Sequence, residues 1–120
     1  MPHITLECTD NVDMDFHSFF EELAQALVET GHAARLGIKA RKVTTDSYYI
    51  VDGCEDYKMV NLLFRLREGR DESTLRQFSE IGIGLLEKYL QKDIEHKAII
   101  ISTEIKELIK DRDITKNAIR

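Results

Sequence analysis

The sequence predicts an α/β fold of the two-layer kind, built from two β-α-β units in tandem with both helices on one face of a four-stranded sheet. Three observations predict it. Residues 2 to 8 alternate apolar and polar as a half-buried strand does, residues 16 to 27 repeat large apolar groups at helical spacing, and strand followed by helix returns after residue 57. A chain of 120 residues, 42% hydrophobic and 32% charged, fits one folded domain over 1–120.

The first unit covers about 2–51. Ile4, Leu6 and Cys8 fall on one side of its opening strand and His3, Thr5 and Glu7 on the other. After a polar stretch from Thr9 to Asp15, the residues Phe16, Phe19, Phe20, Leu23 and Leu27 form a helical stripe, and Gly31 stands where a C-terminal cap belongs. From Gly37 to Val51, β-branched and aromatic residues (Ile38, Val43, Thr44, Thr45, Tyr48, Tyr49, Ile50) predict a strand or a bent pair of short strands, ended by Asp52-Gly53.

The second unit covers about 57–105. Met59 to Leu66 is an apolar run broken only by Asn61 and Arg65, the pattern of a central strand covered on both faces. Asp71 and Glu72 suit the N-terminus of a helix. Its face of Leu75, Phe78, Gly82, Leu85, Leu86 and Tyr89 runs toward an end near Lys92, and Gly82 and Gly84 are expected to permit close packing on the sheet. Lys97 to Ile105 is the last strand, and a tail over 106–120 follows. Its final ten residues are polar, with Ile114 and Ile119 as the large apolar groups, which leaves an interface tail and a disordered tail both open.

Two such units imply parallel pairing within each through crossover connections. Two helices cover one face of the sheet. The other face meets solvent or another subunit, and a strand as apolar as residues 58–66 makes oligomerisation the physical expectation.

Composition narrows the function. No segment approaches the ~18 apolar residues of a membrane span, and no secretory leader is visible, so the cytoplasm is the expected compartment and no membrane partner is expected. Cys8 and Cys54 read as reduced thiols. A net charge of −5 argues against a nucleic-acid binder. Yet Arg35, Lys39, Arg41 and Lys42 form a basic stretch with no acid until Asp46, which reads either as a seat for a small polyanion or as a solvated strand edge. His3, His17, His32 and His96 are dispersed and lack metal-ligand spacing, so no metal is expected. No phosphate-binding glycine loop or nucleophile elbow is present.

Pro2 is the only proline and directly follows Met1. If Met1 is removed, its nitrogen becomes a secondary amine. A free α-amine titrates near ~8, and burial or nearby cations disfavour its charged form, so it can serve as a base at neutral pH. Taken alone, Pro2 is more often just a tolerated residue before an edge strand.

The following residues favour the amine. Met1-Pro2-His3, then Glu7-Cys8 and Asp10-Asn11, resemble the opening of the 5-carboxymethyl-2-hydroxymuconate Δ-isomerase family of the tautomerase superfamily. The resemblance continues through Gly37-Ile38-Lys39-Ala40-Arg41, Asp52-Gly53, Asp56-Tyr57, Gly69-Arg70 and residues 104–108, which is nearly the whole chain. It implies a mixed four-stranded sheet, a homotrimer and no cofactor. It implies an isomerase that shifts a double bond in 5-carboxymethyl-2-hydroxymuconate or a similar anionic 2-hydroxy dienoate, with the terminal amine of Pro2 as general base. Arg41 and Arg70 are the substrate-binding arginines it implies, for the dicarboxylate substrate. Lys39 stands where the family has arginine, keeping the charge and losing the planar fork that binds carboxylates in bidentate fashion. His3 is expected to order the N-terminus. Two alternatives stand beside this reading: a trimeric binding or structural protein on the same scaffold, and a related tautomerase acting on another unsaturated oxo acid.

Overall fold

A computed structural model describes residues 2–119; the expected removal of Met1 lies outside the described residues. The elements are β1 (His3–Thr9), α1 (Phe16–Glu29), a single 3-10 turn (Arg35–Gly37), β2 (Lys39–Thr45), β3 (Lys58–Arg67), α2 (Glu72–Tyr89), the short α3 (Gln91–Glu95) and β4 (Ile99–Leu108). They form one mixed sheet in the order β2-β1-β3-β4. β1 runs parallel to β2 and β3 parallel to β4, while β1 and β3 are antiparallel, so the two units meet back to back at the sheet centre.

Alternation in the strands decides which side is core. Ile4, Leu6 and Cys8 of β1 and Val60, Leu62, Phe64 and Leu66 of β3 are buried against Phe19, Leu23 and Leu27 of α1 and Leu75, Phe78 and Leu86 of α2. Each fully buried Leu or Phe contributes about 1.5–3 kcal/mol, so this layer supplies most of the stability. The apolar run in β3 thus resolves into a buried even-numbered set and a half-exposed odd-numbered set, Met59, Asn61, Leu63 and Arg65. One face of β3 is covered within the chain, not both.

Both long helices start with a side-chain cap. Asp15 accepts from the Ser18 N–H at 3.1 Å and from its hydroxyl at 2.7 Å, and Asp71 accepts from the Thr74 N–H at 2.9 Å, each satisfying a donor the helix leaves free. After α1, Gly31 takes φ +81, as the expected cap requires.

Several boundaries differ from those expected. The strand expected across Gly37–Val51 stops at Thr45, because its neighbour β1 ends at the paired residue Thr9 and leaves nothing to bond beyond it. Strand propensity in Tyr48–Val51 goes unused. That segment runs without regular structure into a turn at residues 51–53, closed by the Gly53 N–H on the Ile50 carbonyl (2.8 Å), with Val51 at φ 56. Helix α2 ends at Tyr89 and α3 takes up Gln91–Glu95, while β4 extends to Leu108. Of the two helical glycines, only Gly82 packs closely: a Cβ there would lie 2.9 Å from Leu62 Cδ2 and 3.1 Å from Phe64 Cζ. Gly84 faces open space, so the close packing expected there is absent.

Candidate active site

Parity fixes the faces of the sheet. His3 pairs with Lys39, Thr5 with Arg41 and Glu7 with Val43, so the odd-numbered residues of β1 and β2 share the face away from the helices. Lys42 lies on the other face, its ammonium 4.1 Å from the centre of the Phe16 ring. The basic stretch of the sequence is therefore split. Lys39 and Arg41 face outward, and Lys42 packs on α1.

Pro2 sits just before β1 and is buried. Its carbonyl accepts from the Lys39 N–H at 3.2 Å, continuing the parallel ladder by one bond. Because β1 lies between β2 and β3, Pro2 is flanked at this end by the turn leading into β2 and the end of β3. The tail crosses the same end. The Lys110 N–H donates to Glu68 Oε2 at 2.9 Å on the β3 side, and Asn117 Nδ2 donates to the Leu36 carbonyl at 2.6 Å on the β2 side. Between tail and β2 is a hollow of about 190 Å³ lined by Leu36, Ile38, Lys39, Thr115, Asn117 and Ile119. The tail is thus placed against its own chain.

The expected anion-binding residues fare differently. Lys39 donates one long bond to the Gly37 carbonyl (3.3 Å), and burial holds its ammonium below the ordinary lysine range. Arg41 is exposed on the outer face beside Thr5. Arg70 lies at the same end of the sheet, but its guanidinium is engaged. Nε and Nη2 donate to the His32 carbonyl at 3.2 and 2.9 Å, and Nη1 donates to the Arg67 carbonyl at 3.1 Å. With the Phe78 ring 5.7 Å from its centre and burial lowering its pKa, Arg70 clamps the loop after α1 to the end of β3. The structure brings Pro2, Lys39 and Arg41 to one end of β1 and β2, and turns Arg70 toward main-chain carbonyls.

The sequence reading passed over two cations. Arg65 pairs with His3 across β1–β3, and Lys106 pairs with Arg65 across β3–β4. Together with Lys39 they make one row across all four strands: Lys39, His3, Arg65, Lys106. The His3 imidazole feels it. Burial first, then Lys39, Arg41 and Arg65, hold its pKa below the ordinary value of 6.5. A signal existed in the sequence, since Arg65 interrupts an apolar run, but its neighbours are set by register, which residue spacing does not disclose.

Comparison with known proteins bears on the chain as a whole. A family model described as 5-carboxymethyl-2-hydroxymuconate isomerase matches residues 2–120. The 5-carboxymethyl-2-hydroxymuconate Delta-isomerase of Escherichia coli is 29% identical over 110 residues, which is 90% of this chain and 87% of that protein. A crystal structure of a 5-carboxymethyl-2-hydroxymuconate isomerase from Deinococcus radiodurans R1 superposes with a TM-score of 0.89 at 24% identity, covering 97% of this chain and 89% of the other. A structure described as a fused 4-OT wild type symmetric trimer gives a TM-score of 0.72 at 14% identity, over 95% and 93% of the two chains. These last two likenesses show the fold.

Proposed function

This chain belongs to the 5-carboxymethyl-2-hydroxymuconate isomerase family, and on that premise we propose that it is a cofactor-independent isomerase moving a double bond in 5-carboxymethyl-2-hydroxymuconate or a closely similar anionic 2-hydroxy dienoate. Its base is the nitrogen of Pro2, exposed as a secondary amine once Met1 is gone. The observation that carries the reading is the burial of Pro2 at the start of β1, next to the end of β2 that holds Lys39.

The neutral amine takes the proton of the 2-hydroxyl group, and the electron pair left behind spreads along the conjugated system as the oxygen becomes a 2-oxo group. The amine, now cationic, gives that proton to the distal carbon and is neutral again. One proton leaves oxygen and one arrives at carbon, so a single group near neutrality serves as base and acid in turn. Negative charge gathers at the 2-oxygen between the two transfers, and cations held near it lower the barrier. Arg41 is the carboxylate or oxyanion partner in this reading and Lys39 a point charge. Arg70 acts on substrate only by exchanging its carbonyl partners. The working assembly in this reading is a homotrimer, like the fused 4-OT symmetric trimer that shares the fold.

The test is ultraviolet monitoring of dienol ketonisation by protein shown by intact mass to lack Met1. Pro2→Ala, or a blocked N-terminus, is expected to cut kcat by about 10²–10⁴-fold while the sedimentation mass is retained. Undiminished isomerisation in both would end the proline-base mechanism. A second reading, a carboxylate-binding protein without turnover, is favoured by the engagement of Arg70 with the His32 and Arg67 carbonyls.

A further inference from the structure

We propose that the basic row Lys39–His3–Arg65–Lys106, with Arg41 one step along β2, is a seat for a multiply charged carboxylate, and that Arg65 supplies the bidentate contact that Lys39 cannot. This rests on the isomerase reading for the identity of the carboxylate, and on the sheet register alone for the existence of the seat.

Neighbouring strands lie about 4.8 Å apart, so four paired residues span a band of roughly 15 Å. The band holds three permanent cations and an imidazole, all on the face away from the helices. Like charges on adjacent strands destabilise a sheet, and acids normally separate them. Here none does. Among the described residues the ion pairs are His17–Glu21, Lys58–Asp93, Arg76–Glu80, Lys88–Glu22 and Arg112–Asp113, and no member of the row takes part. The acids nearest on this face are Glu104 and Glu7. The Glu104 carboxylate accepts from Asn61 Nδ2 at 2.7 Å, away from the row, and Glu7 sits opposite Asn61, four residues along β1 from His3.

The row is not part of a general basic coat, because the chain carries a net charge of −5. A local excess of like charge on an acidic protein attracts a polyanion and is stabilised by it. Arg65 is half-buried, which restrains its side chain, and its guanidinium presents the planar pair of donors that carboxylates accept. The row also passes through His3, the residue after Pro2. A ligand whose far carboxylates rest on Arg65 and Lys106 extends along the row toward His3 and the start of β1.

The shared chemistry is a polycarboxylate, whose source is either the substrate or a free ion, and the experiment separates the two. Wild type, Arg65→Gln and Arg65→Lys, each with Met1 removed, are assayed with 5-carboxymethyl-2-hydroxymuconate and with 2-hydroxymuconate, which lacks the carboxymethyl arm. In parallel, propane-1,2,3-tricarboxylate is titrated while the His3 ring resonances, assigned with His3→Gln, are followed by NMR. The proposal expects Arg65→Gln to raise KM for the longer substrate about tenfold with kcat within twofold, a smaller change for the shorter one, and partial recovery in Arg65→Lys. It expects the tricarboxylate to shift His3 in wild type, not in Arg65→Gln, and to inhibit competitively.

Unchanged KM together with an unmoved His3 overturns it. So does a shift of His3 without competition, which makes the ligand a free ion. A fall in sedimentation mass in Arg65→Gln, with KM unchanged for what remains assembled, assigns the row to subunit pairing and also overturns it. If wild type shows no isomerisation at all, the proline-base reading fails by itself, and the His3 titration still decides the seat.

Discussion

The two faces of the sheet are made by the same strands and follow opposite rules. On the helix side, Ile4, Leu6 and Cys8 of β1 meet Val60, Leu62 and Phe64 of β3, every one at most 2% exposed. On the far side, one residue out of step, the same strands place His3 beside Arg65 and Thr5 beside Leu63. A shift of register by one residue would exchange the sets, so the burial that holds the fold together also fixes where the cations stand. Chemistry on one face is positioned by packing on the other.

Helix α2 allows this coupling to be broken most forcefully. At Gly82 the helix packs tightly on Leu62 and Phe64, and Gly84 points to open space. Gly82→Val is expected to destabilise by about 1–3 kcal/mol through overpacking, whereas Gly84→Ala is expected to stabilise by about 0.5–1 kcal/mol through helix propensity. Chemical denaturation measures both, and equal effects would mean that the helix does not rest on Leu62 and Phe64 as described.

Adjacent residues of β2 sharpen the comparison. Arg41 faces the row and Lys42 faces Phe16, so Arg41→Ala is expected to lower kcat/KM for the dicarboxylate by about tenfold and Lys42→Ala to leave it nearly unchanged. Steady-state kinetics on the pair decide it. Similar losses would remove Arg41 as a specific contact.

The mildest test is a pH profile. Burial, then Lys39, Arg41 and Arg65, keep His3 below its ordinary pKa, so the unfolded chain takes up this proton more readily than the folded one. The His3 contribution is therefore complete above about pH 6.5 and is lost as pH falls through that value toward the lower folded pKa. His3→Gln should flatten this part of the Tm–pH curve. Parallel curves for the two proteins between pH 7 and 5 would show that the imidazole does not sense the row.

Much of this was legible from residue order. Alternation in residues 2–8 and the stripes beginning at Phe16 and Leu75 gave the strands and helices that form, because burial on one face imposes a period that survives without neighbours. The strand expected through Val51 did not form, since pairing is a property of two segments and β1 had already ended at Thr9. Pro2, Lys39 and Arg41 could be chosen from their chemistry and from resemblance. Arg65 and Lys106 could not, for they join Lys39 and His3 only through three strand pairings between distant parts of the chain. Arg70 was chosen for its charge, and its bonds to the His32 and Arg67 carbonyls depend on how a loop folds back.

The back-to-back arrangement of the two units gives the molecule an approximate dyad between β1 and β3. The operation exchanges β1 with β3 and β2 with β4. It relates the hollow beside Leu36–Lys39 to another, lined by Tyr57, Lys58, Lys97 and Ala98. At the second hollow the chain runs straight through, so every nitrogen there that could mirror Pro2 is locked in an amide and has no basicity. Symmetry supplies two related niches, and in the proline-base reading covalent continuity reserves reactivity for one of them.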